Sequence, residues 1–212
     1  MARRSHSEQI QPWVMTSAIL MGASSGALHA VTGPDHVLSL GPMVLGSPRS
    51  PWRIGARWGI GHAVGTLLLA LPVSWVAERV QLPLLATVGE HIAGLVLLLS
   101  AAWSFHQVRV QARQPQRAAP DQSKNALLIG LLHGLTGAAS LMLVVPFLLA
   151  GSRATSIAFL VAFSLGSTLA MAWLTSALAR LGSRLNAGLI LESRKVLCAA
   201  SGALGAFWLL PI

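Results

Sequence analysis

The stretch "GALHAVTGPDH" at residues 26–36 sets His29, His36 and the carboxylate of Asp35 around a Gly33-Pro34 pair, inside an otherwise apolar run. Imidazole with carboxylate suits a divalent first-row metal ion. Ring nitrogens favour nickel, cobalt, copper and zinc, and a site without thiolates disfavours Cu(I). The single cysteine, Cys198, excludes a multi-thiolate site and an internal disulfide. Pro34 has no N–H for the carbonyl of Ala30, and its ring crowds that same oxygen, so the sequence predicts a helix break there. Pro34 then opens a second half-helix whose first turn holds Asp35 and His36, where the helix dipole favours a carboxylate. His29 and His36 are seven residues apart, two turns, and share a face unless the kink rotates them apart. The plain alternative is a packing network of histidine and aspartate bonded across helices. Ionisable groups within a membrane span mark function by default, which favours the metal site.

Other residues are candidates to join it. His62 lies in "GIGHAVG", where Gly59, Gly61 and Gly65 would let a second helix pass close enough for its ring to reach the cluster. Glu90 and His91, in "VGEHIAG", form a second tier: an added ligand, a proton acceptor, or an interfacial pair in water. His133 belongs to the same tier, either completing the site or acting as a satisfied core histidine.

These residues need membrane helices to position them. Of 212 residues, 54% are hydrophobic and 10% charged, and the mean hydropathy is +0.65; a soluble domain carries about 25% charged residues. The chain reads as an all-α integral membrane protein. The net charge of +9 does not indicate a nucleic-acid partner, because Lys and Arg fall between apolar runs rather than along one stripe. Arg3 and Arg4 precede the first run as in a signal peptide, but no small-x-small cleavage site follows. With about 20 apolar residues needed per crossing, six spans are predicted at 13–33 (continuing to 46), 55–77, 84–106, 126–150, 155–178 and 194–211.

The six divide into two halves, 1–106 and 126–212, joined by a basic, Pro/Gln-rich linker at 107–125. "GALHAVTGPDHVLSLGP" at 26–42 aligns without gaps on "GLLHGLTGAASLMLVVP" at 130–146, pairing Gly26, His29, Thr32, Gly33 and Pro42 with Gly130, His133, Thr136, Gly137 and Pro146 at an offset of 104. A weaker echo relates 59–67 to 164–172, one residue further. Three spans per half force opposite orientations, so the expected architecture is an inverted repeat whose first helices break near Gly33-Pro34 and Gly137. In the second copy Ala139, Ser140 and Ser167 stand where the first has Asp35, His36 and His62. One ion site needs only one polar set. The loops after spans one, three and five carry eleven of the fifteen Lys and Arg residues, which puts them in the cytoplasm and both termini outside.

Enzymatic activity is not expected. "GASSG" at 22–26 fits G-x-S-x-G, with Ser25 one turn before His29, but a nucleophile elbow needs a strand–turn–helix setting. "GEHIAG" lacks the zincin H-E-x-x-H spacing, and no P-loop is present.

In "LHAVTGPDHVLSL", "WGIGHAVGTLLL" and "HGLTGAASLMLV", spread over most of the chain, the sequence resembles the nickel/cobalt permease superfamily, closest to its urease-accessory (UreH-like) membrane transporters. The resemblance implies transport of Ni²⁺ or Co²⁺, with His29, Asp35 and His36 matching the family's signature. It also raises a urease or hydrogenase maturation system as partner. The spacing here is H-x5-D-H, where the best-known permeases have H-x4-D-H, which leaves ion identity and direction open. The expected function is thus secondary transport of a divalent metal, with no permanently bound cofactor, across the inner membrane. The lipid bilayer and the ion are the partners, and homo-oligomer formation is left open. The rivals are a metal-handling accessory protein without transport, an exporter of a small anion, and an intramembrane hydrolase.

Overall fold

In a computed structural model, residues 11–45, 50–76, 82–113, 122–136 and 152–210 are described. Every regular element among them is an α-helix: α1 (Pro12–Thr32), α2 (Pro34–Val44), α3 (Pro51–Val76), α4 (Leu82–Arg113), α5 (Ser123–Thr136), α6 (Arg153–Gly182) and α7 (Ala187–Trp208). Local chemistry sets several ends. Pro12 and Pro34 sit in the first turns of α1 and α2, where a missing N–H costs nothing. Ser152 caps α6 by accepting from the Thr155 amide at 3.2 Å, and Asn186 caps α7 by accepting from Leu189 at 2.8 Å.

Among the described residues three helices are long and apolar enough to cross a membrane: α1, the Thr87–Arg113 part of α4, and α6. The distribution of side chains matches that solvent. Leu20, Leu28, Leu99, Leu165, Leu169 and Trp173 are exposed, while His36, His62, His133, Thr175 and Ser201 are buried. An apolar rim around a polar interior is stable in lipid and would aggregate in water.

Small residues hold the bundle, as expected where lipid removes the hydrophobic drive between helices. Helix α1 packs on α6, α3 on α5 and α6, α4 on α7 and α5, and α2 on α7. A Cβ on Gly26 would strike the carbonyl of Phe163, and one on Gly130 that of Trp58; Gly61 meets Leu127 and Gly166 meets Ala23 in the same way. Gly94 of α4 and Gly205 of α7 face each other's carbonyls, with a Cβ 2.7 and 2.6 Å away.

Several boundaries differ from the sequence reading. Helix α4 runs through 107–113, the start of the expected linker, because Gln, Arg and Ala are good helix formers. Helix α7 begins at Ala187 rather than 194, so Arg194 is a buried helical residue and not a loop cation. The expected break near Gly137, and with it Ala139, Ser140 and Pro146, lies outside the described residues.

Candidate metal centre

The break between α1 and α2 occurs at Gly33, whose φ of −67° and ψ of 110° are the extended backbone a following proline favours. Its consequence is chemical. The Ala30 carbonyl that Pro34 cannot serve lies 3.3 Å from Nδ1 of His36. A carbonyl only accepts, so Nδ1 carries the ring proton and Nε2 keeps its lone pair. That Nε2 is buried with no hydrogen-bond partner among the described residues. Gly33 cannot be larger here: a Cβ would sit 2.5 Å from His36 Nδ1 and 2.8 Å from Asp35 Oδ1.

Helix α3 brings His62 to the same point. Its ring centroid lies 5.7 Å from that of His29 and 5.4 Å from that of His36, while His29 and His36 are 4.7 Å apart. His29 Nε2 and both nitrogens of His62 are buried without a hydrogen-bond partner among the described residues. One nitrogen from each of the three rings can be chosen so that all lie within 4.8 Å of one another. A neutral imidazole that keeps its lone pair away from water and from any donor is costly. A shared cation would satisfy all three.

Helix α5 adds the fourth ring. His133 Nε2 stands 2.6 Å from Asp35 Oδ2, and His36 Nε2 is 3.7 Å from the same oxygen. Asp35, His36 and His133 form a second group whose ligand atoms lie within 4.8 Å of one another, so His36 belongs to both. The α3–α5 approach makes this possible, since Gly134 of α5 rests on the His62 carbonyl and Gly130 on that of Trp58. Trp58, fully buried, completes the wall. Its ring stacks on His62 at 5.0 Å and 13°, with His36 at 5.2 Å and His133 at 5.4 Å. Phe163 of α6 closes the side of His29 at 5.8 Å.

The sequence candidates therefore divide. His29, Asp35, His36, His62 and His133 converge from α1, α2, α3 and α5. Glu90 is exposed on α4, and His91 Nδ1 bonds the Thr87 carbonyl at 2.7 Å; neither belongs to either ligand group. Trp58 was not among the sequence candidates, although it stands one turn before His62 and so shares its face.

Nitrogen donors with one carboxylate, gathered at a helix break, are the ligand types that divalent transition-metal ions take. The chain is similar to the urease accessory protein UreH of Bacillus sp. (strain TB-90). The two are 25% identical over 145 residues, covering 61% of this chain and 62% of that protein. The similarity to two Arabidopsis thaliana proteins is higher. Chloroplast protein FOR GROWTH AND FERTILITY 2 is 31% identical over 171 residues, covering 74% of this chain and 45% of the relative. Chloroplast protein FOR GROWTH AND FERTILITY 1 is 30% identical over 169 residues, covering 71% and 46%. The chain spans about half the length of these chloroplast relatives. No family model matches it, and no solved structure does so significantly.

Proposed function

We propose that the chain is a permease for a divalent transition-metal ion, nickel first and cobalt next, working by secondary transport through the His29–Asp35–His36–His62 site with His133 closing it from α5. The observation that carries this reading is the set of buried imidazole nitrogens on His29, His36 and His62 with no hydrogen-bond partner among the described residues. A dication entering must shed its water, and three ring nitrogens and a carboxylate oxygen replace that shell. The inward-negative potential favours uptake, by about 2.3 kcal/mol per elementary charge per 100 mV. Efflux would need protons as the coupled ion, which compete with the metal for the same nitrogens.

Six spans in an inverted repeat are part of the proposal, with the basic loops cytoplasmic in the inner membrane. The paired glycine contacts support it. Gly26 on Phe163 and Gly130 on Trp58 become one contact when α1 is shifted by 104 residues and α6 by 105; Gly61 on Leu127 and Gly166 on Ala23 obey the same shifts. The alternating-access movement would then exchange the α1–α6 and α3–α5 packings. Asp35–His133 is a polar link between the halves.

The hydrolase reading loses support because the Ser25 hydroxyl donates to the Met21 carbonyl at 2.5 Å rather than to His29. An anion exporter sits badly with Asp35 in the first turn of α2. The second reading to keep is a metal-handling accessory protein, favoured by the name of the Bacillus relative. Radioactive nickel flux into proteoliposomes containing only this chain decides between them. Saturable uptake that is lost in His36→Ala supports the permease; tight nickel binding without flux makes it an accessory protein.

A further inference from the structure

Arg194 is a charged side chain that the metal site does not use. It is 8% exposed, within α7, and its guanidinium bridges three helices: Nε donates to the Pro42 carbonyl of α2 at 3.0 Å, and Nη1 to Gln111 Oε1 of α4 at 2.8 Å. Both partners are neutral. Among the described residues no carboxylate pairs with it: Glu192 is held by Lys195, Asp35 by His133, and Glu90 stands 21 residues before Gln111 on α4. Among the described residues this buried cation is solvated by neutral oxygens alone, and burial makes an unbalanced charge expensive.

Beside it lies a cavity of about 470 Å³ lined by Arg194, Gln111, Leu191, Ala187 and Gly188, a size within the roughly 300–1,000 Å³ of small-molecule sites. The first turn of α7 adds donors. Asn186 takes the Leu189 amide with its side chain and the Ile190 amide with its carbonyl, which leaves the Ala187 and Gly188 amides for another acceptor. Several donors and a cation that no carboxylate among the described residues pairs with surround an open volume at the end of α4 and the start of α7, where an anion would supply the missing charge.

We infer that this cavity binds a phosphate-bearing anion, the headgroup of an acidic phospholipid, with Arg194 as its counter-charge. The headgroup neutralises the guanidinium that holds Pro42, and so steadies α2, the helix carrying Asp35 and His36. The inference is independent of which ion the metal site takes.

The test is thermal unfolding of the full-length chain in neutral detergent, with added phosphatidylglycerol, phosphatidylcholine or inorganic phosphate. At a hundredfold excess over the dissociation constant, phosphatidylglycerol raises the wild-type midpoint by roughly 5 °C, and phosphatidylcholine by far less. A comparable rise with inorganic phosphate assigns the site to the free ion, with the same chemistry. The rise is lost in R194Q. It is also lost in A187E, which places a carboxylate at the exposed mouth of the cavity while leaving Arg194 and nickel binding intact. No rise with either anion in the wild type, or an undiminished rise in A187E, overturns the inference.

Discussion

At the residue scale the decisive feature is a proline that removes one hydrogen bond and thereby sets another. The Ala30 oxygen freed by Pro34 is recovered by His36 Nδ1, which fixes the tautomer and turns Nε2 inward. His29, Asp35 and His36 were legible in the sequence because ionisable groups flanked a Gly-Pro break, and His133 because it repeats His29. Trp58 was less legible: an indole in an apolar span looks like packing until its contact with three histidines is seen. Glu90 and His91 stand outside both ligand groups, since sequence spacing gives a residue's face on a helix but not the height at which a neighbouring helix meets it. Removing a ligand ring should be severe. His36→Ala and His62→Ala should each weaken nickel binding by about 100-fold or more, above the roughly 10–100-fold that loss of an outer partner costs, as read by equilibrium dialysis of the purified protein. Ser25→Ala should leave binding unchanged. Gly33→Ala should behave like a ligand deletion, because its methyl group takes the space of the His36 ring. Binding should also fall with acidity. A protonated imidazole has no lone pair, so affinity is full well above the ordinary imidazole pKa of about 6.5. It falls once the pH is low enough for the site's own rings to take up protons in place of the metal.

At the element scale, the site exists because α3 and α5 touch backbone to backbone. Gly61 and Gly65 of α3 and Gly130 and Gly134 of α5 permit that approach, and their spacing could be read in "GIGHAVG" and "GLLHGLTG". Which helix each glycine would meet could not, because small-residue stripes carry no address. Gly134→Leu should therefore separate His62 from His133. We expect a lower unfolding midpoint in detergent, from overpacking worth about 1–3 kcal/mol, together with lost nickel binding. Leu132→Ala, on the exposed side of α5, should change neither. Helix ends were read less well than helix centres. Arg194 looked like a boundary cation, whereas α7 starts earlier and buries it against Pro42 and Gln111, and charge alone does not distinguish a loop from a first turn.

At the scale of the whole molecule, the sequence displayed its solvent before its function. Apolar residues outside and imidazoles, hydroxyls and a guanidinium inside are a membrane arrangement, recorded in the 54% hydrophobic composition. Orientation is testable by labelling, since the one native thiol, Cys198, is buried and gives little background. A cysteine placed at Gln116 should react only from the cytoplasmic side, and one at Ser152 only from the opposite side. Reaction of both from one face would break the inverted arrangement. The central claim, that buried imidazoles of His29, His36 and His62 hold a divalent ion, is tested most directly by X-ray absorption at the nickel edge of the loaded, full-length chain. The account predicts a nitrogen-rich first shell with imidazole scattering from at least three rings, reduced by one ring in His62→Ala. An oxygen-only shell, or a spectrum unchanged by that substitution, would contradict it.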